Sequence, residues 1–234
     1  QVPGASETVP NAINDAGQIA GSFATPGGAT NHGFLLSSGV FTTFEYPGAS
    51  LTNVFGMNNT GLIVGQHDGG SFVYSNSNGS FVNVNVDVIH GINDAGLMTG
   101  AFGSHAFLLA GGLFTTVDFP NAASTNGFGI NNAGDLVGSY ALLTGGPSFG
   151  FILSSGQFTT LNAPFAPNII LSGINDSGVI VGYVWGESDL IRGVLFEPVG
   201  APVPEPATIF LLGAGLIGVG VAAWRAPRRL ADKP

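Results

Sequence analysis

Apolar residues come in short bursts along most of this chain, each broken by glycine, asparagine or aspartate, and the bursts recur in one order. The phrase Ile13-Asn14-Asp15-Ala16-Gly17 returns as Met57-Asn58-Asn59-Thr60-Gly61 and Ile92-Asn93-Asp94-Ala95-Gly96. It returns twice more, as Ile130-Asn131-Asn132-Ala133-Gly134 and Ile174-Asn175-Asp176-Ser177-Gly178. The successive spacings are 44, 35, 38 and 44 residues. Each phrase is followed by an apolar segment ending in glycine (Gly21, Gly65, Gly100, Gly138, Gly182). An aromatic-aliphatic run comes next: Phe34-Leu35-Leu36, Phe72-Val73-Tyr74, Phe107-Leu108-Leu109, Phe151-Ile152-Leu153 and Val194-Leu195-Phe196. Phe41-Thr42-Thr43-Phe44 closes the first unit, and Phe81–Val84, Phe114–Val117 and Phe158–Leu161 close the next three.

Runs of this length, rich in Phe, Val, Ile and Thr and bounded by turn residues, predict strands. The Asn-Asp-x-Gly step predicts a turn, with Asn and Asp bonding to the local backbone and Gly accepting a positive φ. The closing strand alternates: Val82, Val84 and Val86 are expected on one side, Phe81, Asn83 and Asn85 on the other. Val117 and Phe119 alternate with Asp118 in the same way, as in a half-exposed outer strand.

Four strands per roughly 40 residues is the size of a propeller blade. A lone four-stranded sheet cannot bury both faces, whereas five stacked around an axis can. The expected fold is therefore all-β over residues 1–198, a β-propeller-like repeat protein of about five four-stranded blades; a linear β-solenoid or a sandwich is the alternative. The fifth unit ends at Glu197-Pro198 with no Phe-Thr-Thr strand after it. Val2-Pro3-Gly4-Ala5-Ser6 matches Tyr46-Pro47-Gly48-Ala49-Ser50. The expectation is that one upstream strand completes the last blade, or that further upstream repeats enlarge the ring.

Composition narrows the setting. Charged residues are 8% of the 234 and hydrophobic residues 44%, which excludes a disordered chain. The 38 glycines keep no three-residue period, which excludes collagen. Four of the five basic residues (Arg225, Arg228, Arg229 and Lys233) fall in the last ten positions, leaving Arg192 alone among residues 1–202. No basic patch exists to neutralise phosphates, so nucleic acid is excluded as a partner. Cysteine is absent, which removes disulfides and thiolate chemistry and leaves the compartment open.

The unit resembles the bacterial HAF repeat, whose His-Ala-Phe step stands here as His105-Ala106-Phe107, with His32-Gly33-Phe34 as its counterpart. The other three units lack the histidine. The resemblance covers residues 1–198 and implies an extracellular, propeller-like domain without assigned catalysis.

After Gly200 the pattern changes. A linker over 199–206 contains Val203-Pro204-Glu205-Pro206, and residues 207–224 form an uncharged apolar run. Its 18 residues approach the roughly 20 that a bilayer core needs, so a transmembrane helix is predicted over 207–224. Trp224 suits the headgroup level, and Arg225, Arg228 and Arg229 in the basic tail over 225–234 hold that end on the cytoplasmic side. Motif, helix and basic tail in this order resemble the PEP-CTERM sorting signal of Gram-negative bacteria. The resemblance implies recognition of Val203, Pro204, Glu205 and Pro206 by an exosortase, a membrane protease-transpeptidase that removes the tail. It also implies transient inner-membrane anchoring with the propeller on the periplasmic side, a final surface or extracellular location, and a structural role among exopolysaccharide or biofilm.

Catalytic chemistry finds little footing. His32, His67, His90 and His105 are scattered, no G-x-S-x-G elbow occurs, and no cofactor is expected. Asp15, Asp94 and Asp176 are equivalent, but each turn offers few oxygens against the 6–8 that calcium takes, so they are expected to be turn formers and no metal site is assigned. Phe34, Phe72, Phe107 and Phe151 are expected to pack blade on blade. The alternative function is a surface propeller holding a glycan or calcium on one rim, where the insertions at 24–32 and 141–148 form unlike loops.

Overall fold

The structure, a computed structural model, describes residues 1–28, 30–163, 166–186, 191–198 and 220–224. Five four-stranded sheets follow one another, each a simple antiparallel meander in its first three strands. The first blade holds β1 (Glu7–Ile13), β2 (Ile19–Ala24), β3 (Asn31–Ser37) and β4 (Val40–Phe44). The second holds β5 (Thr52–Met57), β6 (Leu62–His67), β7 (Gly70–Ser75) and β8 (Ser80–Val84). The third holds β9 (Val88–Ile92), β10 (Met98–Phe102), β11 (His105–Ala110) and β12 (Leu113–Val117). The fourth holds β13 (Ser124–Ile130), β14 (Leu136–Ala141), β15 (Phe149–Ser154) and β16 (Gln157–Leu161). The fifth holds β17 (Asn168–Ile174), β18 (Ile180–Trp185), β19 (Arg192–Pro198) and β20 (Gly220–Trp224). The arrangement is an all-β five-blade propeller, as the repeat spacing predicts.

The core lies between blades. Leu35 and Phe44 of the first blade pack on Val54, Ile63 and Phe72 of the second. Val64 packs on Ile89 and Phe107, and Val137 and Ile152 on Leu171 and Ile180. Phe34, Phe72, Phe107 and Phe151 are all fully buried, and Phe72 and Phe107 join the clusters between blades as expected. Aromatic stacking adds to this at Phe44–Tyr74 (4.2 Å between centroids) and Phe119–Tyr140 (3.6 Å). The closing strand of the second blade departs from expectation. Val82 on its apolar side is 59% exposed, because Phe81 turns instead into the cluster of Phe44, Tyr46 and Tyr74. In the third blade the expected alternation holds, with Val117 buried and Asp118 exposed.

Most of the expected membrane helix lies outside the described residues. Residues 207–219 and 225–234 lie outside the described residues, and the last five of the helix, Gly220–Trp224, form strand β20 instead. β20 runs parallel to β19, from Val194 opposite Gly220 to Pro198 opposite Trp224. The physical reason is the open edge of β19: its unpaired N–H and C=O groups template a strand where the closing phrase is lacking. Among the described residues, no helix is long and apolar enough to cross a membrane.

Two kinds of glycine hold the units in shape. Those ending the turn phrases, such as Gly134 (φ 81°), take the left-handed conformation that closes the turn. Those ending the second strand segment sit against backbone: a Cβ at Gly138 would collide with the carbonyl oxygen of Asn126 and crowd the Phe151 ring. Gly138→Ala is therefore expected to lower stability by about 3 kcal/mol, near the upper end for overpacking. Gly134→Ala, strained but with open space around it, should cost about 1–2 kcal/mol. Denaturant unfolding of the two variants checks the order.

Candidate functional site

Val203, Pro204, Glu205, Pro206, Arg225, Arg228 and Arg229, the residues singled out in sequence, lie outside the described residues. What the described fold brings together is the propeller axis. Each innermost strand carries one β-bulge, seen as a register shift at Pro10/Ala12, Val54/Gly56, Gly127/Gly129 and Leu171/Gly173, and opposite Thr99/Gly100 in the third blade. A bulge leaves one residue unpaired and re-aims it. These residues are Asn11, Phe55, His90, Phe128 and Ser172. Asn11 and Phe55 among them line an open axial cavity of about 370 Å³, together with Ile92, Ile130, Ile174 and Val181.

The Asn11 side-chain amide donates to the Val54 carbonyl (2.8 Å), and His90 Nδ1 donates to the Gly127 carbonyl (2.9 Å). The carbonyl accepts only, which fixes the proton on Nδ1. The His90 ring lies between Phe55 (5.5 Å) and Phe128 (4.7 Å). Burial lowers its pKa below the usual histidine value, against the smaller opposing effect of the Gly127 bond, so the imidazole is neutral at pH 7. Among the described residues it makes no hydrogen bond to a carboxylate.

At the end of the innermost strands the turns form a second constellation. The first Asn of each phrase serves its own turn: Asn58 Oδ1 accepts from the Leu62 N–H, Asn93 Oδ1 from Leu97, and Asn175 Oδ1 from Val179. Its amide then reaches the next blade, from Asn58 to the Asn93 carbonyl and from Asn93 to the Asn131 carbonyl. The second position runs Asp15, Asn59, Asp94, Asn132, Asp176 around the axis. Here the expectation of locally bonding aspartates is corrected, because these side chains bond across blades. Asn59 donates its amide to both Asp15 (2.9 Å) and Asp94 (2.9 Å), and Asn132 to both Asp94 (2.8 Å) and Asp176 (2.8 Å). Each backbone N–H from Asp15 to Asn132 donates to the next side chain at 2.8 Å. The Asp/Asn alternation was present in the sequence and is the signal that finds this ring.

The remaining histidines have partners of their own. His32 Nδ1 lies 2.8 Å from Glu45 and His105 Nδ1 2.8 Å from Asp118, the same pairing in two blades. His67 meets Asn83 Oδ1 at 2.8 Å and stacks on Tyr46 at 3.8 Å. Among the described residues no group of three or more His, Cys, Asp or Glu could hold a metal ion. The oxygens of Asp94 already face three N–H donors.

Comparison with known proteins gives one sequence match. Residues 202–229 match the family described as the PEP-CTERM protein-sorting motif. The chain carries a sorting signal at its C-terminal end. No curated protein matches the chain in sequence. Among solved structures it is similar to a mutant lectin of Aleuria aurantia in complex with Fucα1-6GlcNAc, at 9% identity and a TM-score of 0.46, covering 85% of this chain and 80% of that one. It is also similar to the calcium-binding protein regucalcin from Agrobacterium tumefaciens, at 14% identity and a TM-score of 0.41, covering 80% of this chain and 76% of that one.

Two outcomes follow from the axis. The Asp94 carboxyl is held below its usual 3.8, first by the Asn59 backbone N–H, then by the Asn59 amide, with Asn132 adding to them and partial burial opposing. A carboxyl depressed in the folded state contributes stability that is present above its unfolded value and lost as pH falls through the folded one. Between pH 5 and pH 3 the wild type should therefore lose more stability than Asp94→Asn. At pH 7 that variant should be weaker by about 1 kcal/mol, since the ring is exposed. For His90 the lowered value means stability present above the unfolded value of 6.5 and lost as pH falls below it. His90→Phe, the residue type of the second and fourth blades, should flatten the change in thermal midpoint between pH 7 and pH 5.

Proposed function

We propose that this chain is an exported bacterial surface protein whose all-β repeat domain is delivered by an exosortase-type membrane protease-transpeptidase. The observation that carries the reading is the match of residues 202–229 to the PEP-CTERM protein-sorting motif. Val203, Pro204, Glu205 and Pro206 are its recognition residues. Proline fixes φ and removes an amide donor on either side of Glu205, so the segment is presented extended, with one charge to read. The apolar run over 207–224 supplies membrane affinity, and Arg225, Arg228 and Arg229 orient it with the repeat domain on the periplasmic side. In this reading the membrane stage comes first, and Gly220–Trp224 are not on β19 while they are in the bilayer.

The repeat domain is the passenger, in a structural role at the cell surface in an exopolysaccharide or biofilm setting, without a catalytic function. The HAF-type resemblance of residues 1–198 supports an extracellular place for it. The domain's scarcity of charge and lack of cysteine agree with a scaffold held by packing and backbone pairing.

Intact mass in two hosts tests the reading. With exosortase present, the mature protein should lack the segment from about Ala207 onward; without it, the chain should stay whole and membrane-bound. Glu205→Ala should abolish processing and leave insertion intact. Removing Arg225, Arg228 and Arg229 should instead misorient part of the population. Cleavage of Glu205→Ala at the normal rate would leave a plain membrane anchor as the better account.

A further inference from the structure

Between the fifth and the first blade the ring is open. Each pair of sequential blades is packed through β5, β9, β13 and β17, but among the described residues the strands of the fifth blade do not pack on β1 in this way. The residues that border the opening differ from their counterparts elsewhere. Ile13 is 68% exposed, whereas Ile92 and Ile130 are 7% exposed. Val181 is 47% exposed, whereas Val64 and Val137 are at 0%. On the first blade an open hollow of about 470 Å³ lies over Pro10, Ile19, Phe34, Leu36 and Phe41. Among the described residues, two apolar sheet faces, one of each kind that mates at every other interface, are left without a partner.

The axial ring says what shape of partner fits. Asp94, in mid-ring, accepts from the asparagine on each side and donates its N–H to Asn132. Asp176 accepts only from Asn132, and its own N–H has no acceptor among the described residues. Asp15 accepts only from the Asn59 amide, through Oδ2, and its Oδ1 receives no donor among the described residues. The missing bonds are those that one asparagine makes in this ring: an amide shared between two carboxylates, an N–H given onward and an Oδ1 that receives one. Closing the ring at five would set Asp176 beside Asp15, like charges with no donor between them. An even number of positions lets the alternation close.

We propose that a sixth four-stranded unit of the same repeat fills the opening, with an asparagine at the ring position between Asp176 and Asp15. Its two faces bury Val181 and Tyr183 on one side and Ile13 and Pro10 on the other. This stands apart from the sorting reading, since neither the open faces nor the ring involves residues 202–229.

The chain has no native cysteine, so paired spin labels can measure the opening directly. Label the double variant Ile13→Cys with Val181→Cys, and its counterpart across a closed interface, Ile174→Cys with Val137→Cys. The first distance should exceed the second by about 10 Å, the spacing of one packed sheet. Equal distances mean a ring closed at five and overturn the proposal. A second test joins a copy of residues 121–161 ahead of Gln1, which brings the copied Asn132 to the open ring position. The fused chain should unfold in one transition, at least about 5 °C above the parent. Changing the copied Asn132→Asp should remove part of that gain at pH 7. No gain, or equal midpoints for the two fusions, overturns the proposal. So does a parent chain that sediments as a dimer and is made monomeric by Val181→Asp, because a second copy then covers the face.

Discussion

The propeller depends on how closely the innermost strands approach one another. A Cβ at Gly91 would press on the Phe128 carbonyl, and one at Gly129 on the Cα of Gly173. These glycines follow the bulge residues directly, so one local device does two things. The bulge turns a side chain toward the axis and bends the strand, and the glycine beside it lets the next blade come in to backbone distance. It also drives a carbonyl of the innermost strand toward the strand behind it, which is why Gly65, Gly100 and Gly138 recur there. Close approach thus explains one recurring set of glycines in each blade, beside those that the turns need at positive φ.

With the strands so close, turn ends from successive blades come within hydrogen-bonding range of each other. A ring of identical aspartates there would repel itself, and a ring of asparagines would have amides facing amides. Alternation resolves both problems: Asp94 receives from neutral amides on either side, and Asp15 and Asp176 each receive from one. The cost is a parity rule on the number of blades, a constraint that packing alone does not impose. The Asp94 carboxyl, depressed although it is only partly buried, marks how closely the donors are gathered.

The blades, their strand count and their turns were legible because each phrase repeats with the period-two pattern and turn chemistry that strands require. Ile13, Met57, Ile92, Ile130 and Ile174 end the innermost strands as the repeat predicts. The roles inside the turn were not legible from one unit. Asn93 and Asp94 are both turn formers by propensity, and only the neighbouring turn decides that Asn93 keeps its Oδ1 for its own turn and sends its amide across, while Asp94 bonds across alone. The bulge residues were hidden for a related reason. Asn11, Phe55, His90, Phe128 and Ser172 share no chemistry, so nothing in their side chains announces a common position. Phe81 was misplaced because alternation assigns faces within a strand and is blind to which face the next blade covers.

In the sorting function proposed above, the sequence Gly220–Trp224 answers to two environments. As an isolated segment it reads as the end of an apolar helix, which satisfies its own backbone in a bilayer where no water can do so. Beside the propeller the same residues find β19, whose edge offers N–H and C=O groups over Val194–Pro198. Parallel pairing at an edge is the less stable kind of ladder per residue, and β20 is joined to the fifth blade by a long connection rather than a tight turn. The pairing can therefore form without committing the rest of the blade, since β17, β18 and β19 already share their own antiparallel ladders. A sorting segment has to be separable from its passenger. The repeat domain keeps its core between blades, and Gly220–Trp224, the described part of the tail, add an outermost edge.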